Sequence, residues 1–220
     1  QAIIKVRQAE KAGCDAVMIQ PPWYVMPNLD EVYEYYLKII QATDLPVMVY
    51  NIPRRTGIHL SVDLVDRLAD EPKVIALKES SKDWIVLSEM IRRCKDRLNV
   101  FAGYANLLGL AAISEGAVGY VDSSTPVLGR KSLDFYRAAT EGDLETARWL
   151  QAEMAKLNAG FFGVGTFPAG VKFALDLLGR PGGMVRDPIK PLNAEQQERV
   201  KEVLISAGIL PPKKCLRETA

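Results

Sequence analysis

Three residues have side chains that could act together in catalysis: Tyr50, Arg55 and Lys78. They lie at or just after the ends of two apolar runs. Tyr50 ends the run 46–50, and Lys78 ends the run 73–78. A neutral lysine amine, which the buried end of a strand favours, can form a Schiff base with a ketone. The imine then accepts electrons as the neighbouring carbon loses a proton, and a tyrosine hydroxyl could carry that proton. Because a guanidinium holds a carboxylate through two parallel hydrogen bonds, the three residues together predict a keto acid substrate.

The two apolar runs are typical of buried strands in a parallel sheet. Each is short and continuous, and an amphipathic segment of helix length separates them. Tyr50 and Lys78 would then lie at the carboxyl ends of neighbouring strands. Ligands bind at this edge in barrels and in open α/β sheets alike.

A purely structural interpretation of the same residues stays open. A lysine that ends a strand commonly extends to water, and a tyrosine is often a core residue with one satisfied hydroxyl. Arg55 could belong to a solvated turn. For Glu79 we expect an exposed carboxylate at a strand end, and for Trp149 a place on the core face of a helix.

The rest of the chain repeats a βα unit. The predicted strands are 16–19, 46–50, 73–78, 100–102 and 118–121, and predicted helices follow each of them. The helix signals include Ser61 as an N-cap residue and Gly116 as a terminator. Stacked βα units with right-handed crossovers fit this alternation, and no helix-only or all-β fold does. None of the strands is followed by a G-x-G-x-x-G motif, which argues against a dinucleotide-binding sheet.

The predicted domain organisation is a partial (β/α)8 barrel followed by helices. A barrel needs three more strands and typically about 250 residues, so we expect the missing amino-terminal strands to precede Gln1. We assign 1–130 to the barrel units, 131–208 to the last barrel helix and a carboxyl-terminal helical region, and 209–220 to a tail. In the helical region, Asn193 and Gln196 have the spacing of a capping box.

Composition excludes several classes of partner. With 28 basic and 27 acidic residues the net charge is +1, which gives no reason to expect nucleic acid or an anionic membrane. No apolar stretch has the length of a membrane span. The cysteines, Cys14, Cys94 and Cys215, are widely and irregularly spaced, which indicates reduced thiols in a cytoplasmic protein rather than disulfides or a zinc site. His59 is the single histidine and has no clustered ligands, so we expect no metal.

Several motifs resemble one enzyme family across nearly the whole chain. They are Tyr50-Asn51-Ile52-Pro53-Arg54-Arg55-Thr56-Gly57, Ala76-Leu77-Lys78-Glu79-Ser80, Phe101-Ala102-Gly103, Gly116-Ala117-Val118-Gly119 and Leu178-Gly179-Arg180-Pro181-Gly182-Gly183. The sequence is similar to the dihydrodipicolinate synthase and N-acetylneuraminate lyase family. The resemblance implies a (β/α)8 barrel with extra carboxyl-terminal helices, acting as a class I Schiff-base aldolase or lyase without metal or organic cofactor.

The resemblance also implies roles for individual residues. Lys78 would form the imine with pyruvate or another 2-keto acid, Tyr50 would relay protons, and Arg55 would bind a substrate carboxylate. Tyr24 matches a tyrosine that family members insert into a neighbouring subunit's site, so a homotetramer or homodimer is expected. Further candidates for substrate contacts lie at the carboxyl ends of the last two strands: Gly103, Tyr104, Val121 and Asp122.

Within the family, Arg55-Thr56-Gly57 favours the synthase branch, which condenses pyruvate with an aldehyde on the way to lysine. The sequence departs from that branch in Gly103-Tyr104-Ala105, in 122–126 and in 166–170, and it lacks the family's Gly-Thr-Thr-Gly-Glu motif. We expect that motif in the missing strands, and an incomplete barrel to be inactive alone. Two alternatives therefore stay open: a dehydratase or aldolase of sugar-derived 2-keto-3-deoxy acids, and a noncatalytic keto acid binding protein.

Overall fold

The computed structural model describes residues 1–211, and the chain separates into two compact units, Gln1–Val121 and Asp122–Ala220. Residues 212–220, which include Cys215 and most of the predicted tail, lie outside the described residues.

The first unit alternates strands and helices as the sequence pattern predicts. Its strands are β1 (Val17–Ile19), β2 (Val47–Asn51), β3 (Val74–Glu79), β4 (Asn99–Gly103) and β5 (Gly119–Val121). Its helices are α1 (Ala2–Lys11), α2 (Leu29–Gln41), α3 (Pro53–Thr56), α4 (Val62–Leu68), α5 (Trp84–Cys94) and α6 (Ala105–Glu115). The five strands form one parallel sheet in the order β1-β2-β3-β4-β5. This order is that of consecutive units of a (β/α)8 barrel.

Local signals explain where the helices of this unit begin and end. The Ser61 side chain accepts a hydrogen bond from the Leu64 amide, which confirms its predicted role as the N-cap of α4. The Asp83 side chain caps α5 in the same way. At Gly116, φ is 118°, a conformation open to glycine, and α6 ends there as predicted. The short helix α3 was not predicted, because four residues carry no periodic pattern.

The core of the first unit lies between the sheet and its helices. Fully buried side chains from both layers form it: Val32, Tyr36, Val47, Val49, Leu64, Leu68, Leu77, Leu87 and Ile91. The Tyr36 hydroxyl is satisfied by the Ile19 carbonyl oxygen. These contacts fix the strands that carry the candidate site residues.

The second unit is helical in its described part. Its helices are α7 (Thr125–Leu128), α8 (Arg130–Glu141), α9 (Leu144–Phe162), α10 (Ala169–Leu177) and α11 (Ala194–Ser206). Asn193 and Gln196 form the predicted capping box of α11. α9 packs against α8, α10 and α11.

One prediction for the second unit was wrong. Trp149 was expected on the core face of its helix, but its side chain is 55% exposed. The buried stripe of α9 consists of Ala147, Leu150, Met154, Leu157 and Phe161, at the alternating three- and four-residue spacing of a single helix face. Trp149 falls outside this stripe.

Candidate active site

Pairing of β2 with β3 brings Tyr50 and Lys78 together. The two residues are register partners across the strands. The Lys78 Nζ lies 4.0 Å from the centroid of the Tyr50 ring, within the range of a cation–π contact. Both side chains are partly buried, whereas Val49 and Leu77, which precede them in the strands, are fully buried. The predicted proximity of these two residues is therefore confirmed.

The residues that follow this pair, Asn51 and Glu79, form a second contact. They too are register partners, and the Asn51 Nδ2 donates a hydrogen bond of 2.8 Å to Glu79 Oε1. Because successive side chains of a strand point to opposite faces, this contact lies on the opposite face from the Tyr50–Lys78 contact. One sheet edge thus carries a more open pair and a buried pair.

The prediction that Glu79 is exposed was wrong, since the residue is only 1% exposed. Burial raises the pKa of its carboxyl group from 4.5 to about 7, although hydrogen bonds from Ser81 and Asn51 counteract part of the rise. The sequence could not distinguish the two faces here, because strands covered on both sides are apolar on both sides. Glu79 is thus the residue of this edge whose burial and contacts the sequence did not reveal.

Arg55 lies on α3, directly after β2. The helix is held by Pro53 at its first position and by Gly57, whose φ is 78°, at its end. The Thr56 hydroxyl is buried and bonds to the backbone of the same loop, so the loop has a fixed shape. The Arg55 side chain is exposed beyond the carboxyl end of β2, one residue before which Tyr50 lies. Its predicted role in binding a carboxylate stays a prediction.

The end of β4 packs closely against the end of β3. A Cβ atom at Gly103 would lie 2.0 Å from Ser80 Oγ and 2.7 Å from the Glu79 carbonyl oxygen, so only glycine fits. The next residue, Tyr104, has a φ of 54°, and the Lys82 Nζ lies 4.5 Å from its ring centroid. Lys82 was not predicted, because an exposed lysine in a loop carries no distinguishing signal in the sequence.

Backbone strain marks the same edge of the sheet. In residues 1–211, three residues other than glycine have a positive φ: Tyr24, Lys82 and Tyr104. Each lies in the loop that follows the carboxyl end of a strand, β1, β3 and β4 respectively. Strained residues of this kind concentrate at functional sites. Tyr24 is also 96% exposed, beside exposed side chains of Trp23, Val25 and Met26.

The last two predicted site residues lie on either side of the boundary between the units. Val121 ends β5 as the register partner of Gly103, and its side chain is 42% exposed. Asp122 belongs to the second unit, where its Oδ1 accepts hydrogen bonds from the Ser124 amide, the Ser124 hydroxyl and Asn158 Nδ2. These bonds fix the carboxylate within its own unit. Contacts of either residue with substrate stay predictions.

A cavity of about 580 Å³ in the first unit lies beside α1 and β1. Val6, Val17, Met18 and Trp23 are among the side chains that line it, and Tyr50 and Lys78 are not. We place the candidate site at the carboxyl edge, because the groups capable of chemistry are there. Residues 1–211 contain no group of three or more His, Cys, Asp and Glu side chains able to hold a metal ion. None of their helices is long and apolar enough to cross a membrane.

A parallel sheet of consecutive βα units with polar groups gathered at its carboxyl edge is the architecture of α/β enzymes, among them the (β/α)8 barrels. The sequence profile of the dihydrodipicolinate synthetase family matches residues 1–207, and the chain belongs to this family. The family resemblance and the fold class predicted from the sequence are thereby confirmed, as is a lyase of the aldolase type.

Individual relatives agree with this assignment. The chain is 33% identical over 212 residues to 4-hydroxy-tetrahydrodipicolinate synthase of Thermodesulfovibrio yellowstonii, covering 96% of this chain and 72% of the relative. It is 36% identical over 211 residues to the synthase of Halorhodospira halophila, covering 96% and 69%.

Solved structures show the same likeness. Dihydrodipicolinate synthase DapA-2 of Bacillus anthracis superposes with a TM-score of 0.88 at 30% identity, covering 96% of this chain and 70% of that chain. The chloride-inhibited synthase of Acinetobacter baumannii, complexed with pyruvate, has a TM-score of 0.88 at 27% identity, covering 94% and 71%.

Proposed function

We propose that the protein is a Schiff-base lyase that uses pyruvate or another 2-keto acid, and that its reaction is that of a 4-hydroxy-tetrahydrodipicolinate synthase. The observation that carries this proposal is the contact between Lys78 and Tyr50 at the carboxyl edge of the sheet. Curated relatives bear the name of this synthase, and one structural neighbour holds pyruvate. The Arg55-Thr56-Gly57 sequence after β2 favours the same branch.

The proposed chemistry begins at Lys78. Its neutral amine attacks the ketone carbon of the keto acid, and the resulting carbinolamine loses water to give an imine. Loss of a proton from the neighbouring carbon gives an enamine, which attacks the carbonyl carbon of the aldehyde and forms the new carbon–carbon bond. The aldehyde oxygen takes up a proton, and hydrolysis of the imine returns the free amine of Lys78.

The other residues of the edge assist these steps. The Tyr50 hydroxyl accepts and returns the protons, as a general acid and base on the strand adjacent to Lys78. The Arg55 guanidinium binds a carboxylate of the substrate, which orients the ketone toward Lys78. Gly103, Tyr104 and Val121, at the carboxyl ends of β4 and β5, contact the acceptor aldehyde.

The test is reduction with borohydride in the presence and absence of pyruvate, followed by intact mass measurement and peptide mapping. We expect one adduct, dependent on pyruvate and located on Lys78. Lys78→Arg keeps the charge but removes the nucleophile, so this variant should give no adduct. Lys82→Arg is the matched control, since it alters a nearby exposed lysine, and it should label as the unchanged protein does. An adduct confined to another lysine, or none with folded protein and a panel of 2-keto acids, contradicts the proposal.

A second candidate, a dehydratase or aldolase of sugar-derived 2-keto-3-deoxy acids, follows from the loops after β4 and β5. Tyr104, with its positive φ and its contact with Lys82, occupies a loop whose sequence departs from the synthase pattern. Such loops shape the acceptor side of the pocket rather than the imine step. A panel of aldehydes and keto sugar acids, assayed on protein that forms the Lys78 adduct, separates the candidates. A noncatalytic keto acid binding protein would bind without any adduct.

We also propose that the protein self-associates as a homotetramer or homodimer in the cytoplasm. The support is the exposed apolar loop Trp23, Tyr24, Val25 and Met26 together with the family resemblance of Tyr24. Measurement of molar mass by light scattering tests it, with Tyr24→Ser and Met26→Ser expected to lower the mass.

A further inference from the structure

The Asn51–Glu79 contact joins the same two strand ends as the Tyr50–Lys78 contact, from behind. The Ser80 amide donates to the Asn51 carbonyl oxygen at 2.8 Å, which extends the backbone pairing of β2 with β3 past the last paired residues. The side-chain bond from Asn51 Nδ2 to Glu79 Oε1 adds a second link at the same place. Any change in this link is therefore one residue away from both Tyr50 and Lys78.

The hydrogen bonds around Glu79 suit its ionised form. Asn51 Nδ2 donates to Oε1, and the Ser81 amide donates to Oε1 at 2.9 Å and to Oε2 at 3.0 Å. Rotation of the Asn51 side-chain amide by half a turn would break a hydrogen bond, because its Oδ1 accepts one from the Leu60 amide. The Ser81 side chain also bonds to the carboxylate. A protonated Glu79 would either direct its O–H to the Ser81 hydroxyl or displace one of the amide donors, so the present set of hydrogen bonds would change.

The charges near Glu79 do not neutralise its carboxylate. Asp83 lies close enough to raise its pKa further. Lys78 extends from the opposite face of the strand, and Lys82 and His59 are exposed in the neighbouring loops. Dipolar donors rather than an opposite charge thus hold the buried carboxylate, and burial raises its pKa to about 7.

We propose, on the basis of the function proposed above, that Glu79 is a positioning residue whose ionised carboxylate, with Asn51, places Lys78 for attack on the keto acid. Ionised Glu79 holds the ends of β2 and β3 in register. Its protonation releases one of the bonds to Asn51 or Ser81 and loosens the placement of Lys78 beside Tyr50. The rate of imine formation then depends on the ionisation of the carboxylate behind the amine.

The test compares Glu79→Gln with the unchanged protein in the rate of adduct formation, trapped with cyanoborohydride at limiting pyruvate between pH 6 and 8. The glutamine Oε1 can accept from both Asn51 and Ser81 but does not titrate. The ratio of the two rates removes any dependence on pH that the two proteins share. We expect the ratio of unchanged to variant rate to rise about tenfold from pH 6 to 8, because a group with a pKa near 7 passes from about one tenth to nine tenths ionised.

Two further variants define the interpretation. Glu141→Gln removes the same charge from an exposed position of the second unit, and its ratio should not change with pH. Asn51→Asp keeps the acceptor for the Leu60 amide but replaces the donor to Glu79 by a like charge, so the midpoint should move to higher pH. This variant keeps the proposal testable where Glu79→Gln does not fold. A constant ratio for Glu79→Gln, in protein that forms the adduct, overturns the proposal.

A second readout does not depend on pyruvate. Trace acetylation with acetic anhydride, mapped by mass spectrometry, gives the reactivity of Lys78 relative to the exposed Lys38. We expect this relative reactivity to change between pH 6 and 8 in the unchanged protein. The part of the change that is due to Glu79 should be absent from Glu79→Gln. If the acetylation of Lys78 changes with pH as expected but no adduct forms, the proposed function is refuted and the positioning role of Glu79 is retained. Identical acetylation profiles refute the positioning role.

Discussion

Glu79 at the carboxyl edge of the sheet and Asp66 on the outer surface of α4 are both hydrogen-bonded carboxylates, yet their pKa values move in opposite directions. Arg93 on α5 and Arg97, just after that helix, both contact Asp66, and their hydrogen bonds lower its pKa. Glu79 is held by uncharged donors in a buried position, and its pKa rises to about 7. Opposite charges at the surface keep a carboxylate ionised at any physiological pH, whereas burial among dipoles makes it titrate near neutrality.

The largest effect should come from crowding the edge that holds Glu79. Gly103→Ala places a methyl group against the Glu79 carbonyl oxygen and Ser80 Oγ, and the backbone atom cannot rotate away. We expect a loss of about 3 kcal/mol in the free energy of unfolding, measured with urea. Gly142→Ala is the control, because its Cβ meets nothing within 4 Å while its φ of 81° costs about 1 kcal/mol. Equal losses in the two variants would mean that the edge can widen.

The next effect concerns the pH dependence of stability at Glu79. Its pKa is higher in the folded protein, about 7, than the ordinary 4.5, so the folded state binds an extra proton between these values. The unfolding free energy of the unchanged protein therefore falls as pH rises through this window. Glu79→Gln does not titrate, so its stability relative to the unchanged protein should increase by about 3 kcal/mol from pH 4 to 8. Urea unfolding at several pH values measures this, and a difference independent of pH contradicts a buried, titrating Glu79.

The smallest effect should come from Asp66, with the opposite dependence on pH. Its pKa in the folded protein is lowered, so its stabilising effect is present above the ordinary value of 3.8 and is lost as pH falls below it. Asp66→Asn should lose less than about 1 kcal/mol at pH 7, with a smaller loss at high salt and a loss that shrinks as the pH falls below 3.8. Asp96→Asn, on an exposed residue just after α5, serves as the control in the same unfolding measurements. A loss that persists in high salt would assign the effect to something other than the ion pairs.

The sequence predicted the sheet and the proximity of Tyr50 and Lys78 because both follow from the order of apolar runs and helix patterns along the chain. Apolar runs separated by helix patterns predict parallel strands, and parallel strands bring their carboxyl ends to one edge. The side on which each residue lies was not predictable, since a sheet covered on both faces has no polar face to reveal the alternation. For this reason Glu79, one residue after Lys78, was wrongly expected to be exposed.

Features that depend on backbone conformation or on tertiary contacts were also beyond the sequence. The positive φ of Lys82 and its position over Tyr104 depend on the conformation of two loops that meet only in the folded unit. Trp149 is apolar enough to be expected in a core, but its place relative to the stripe of α9 decides its exposure. Four-residue helices such as α3 are too short to carry a period.

The consecutive placement of Tyr50 with Asn51, and of Lys78 with Glu79, limits how this enzyme could change in evolution. Gain or loss of one residue within β2 or β3 would exchange the two faces, bringing Tyr50 or Lys78 to the buried side and Asn51 or Glu79 to the more open side. Both pairs would be destroyed in one event, so no sequence of small shifts moves them together along the strands. New substrate preferences in this scaffold should therefore arise from the loops that follow the strands, while the lengths of β2 and β3 stay constant.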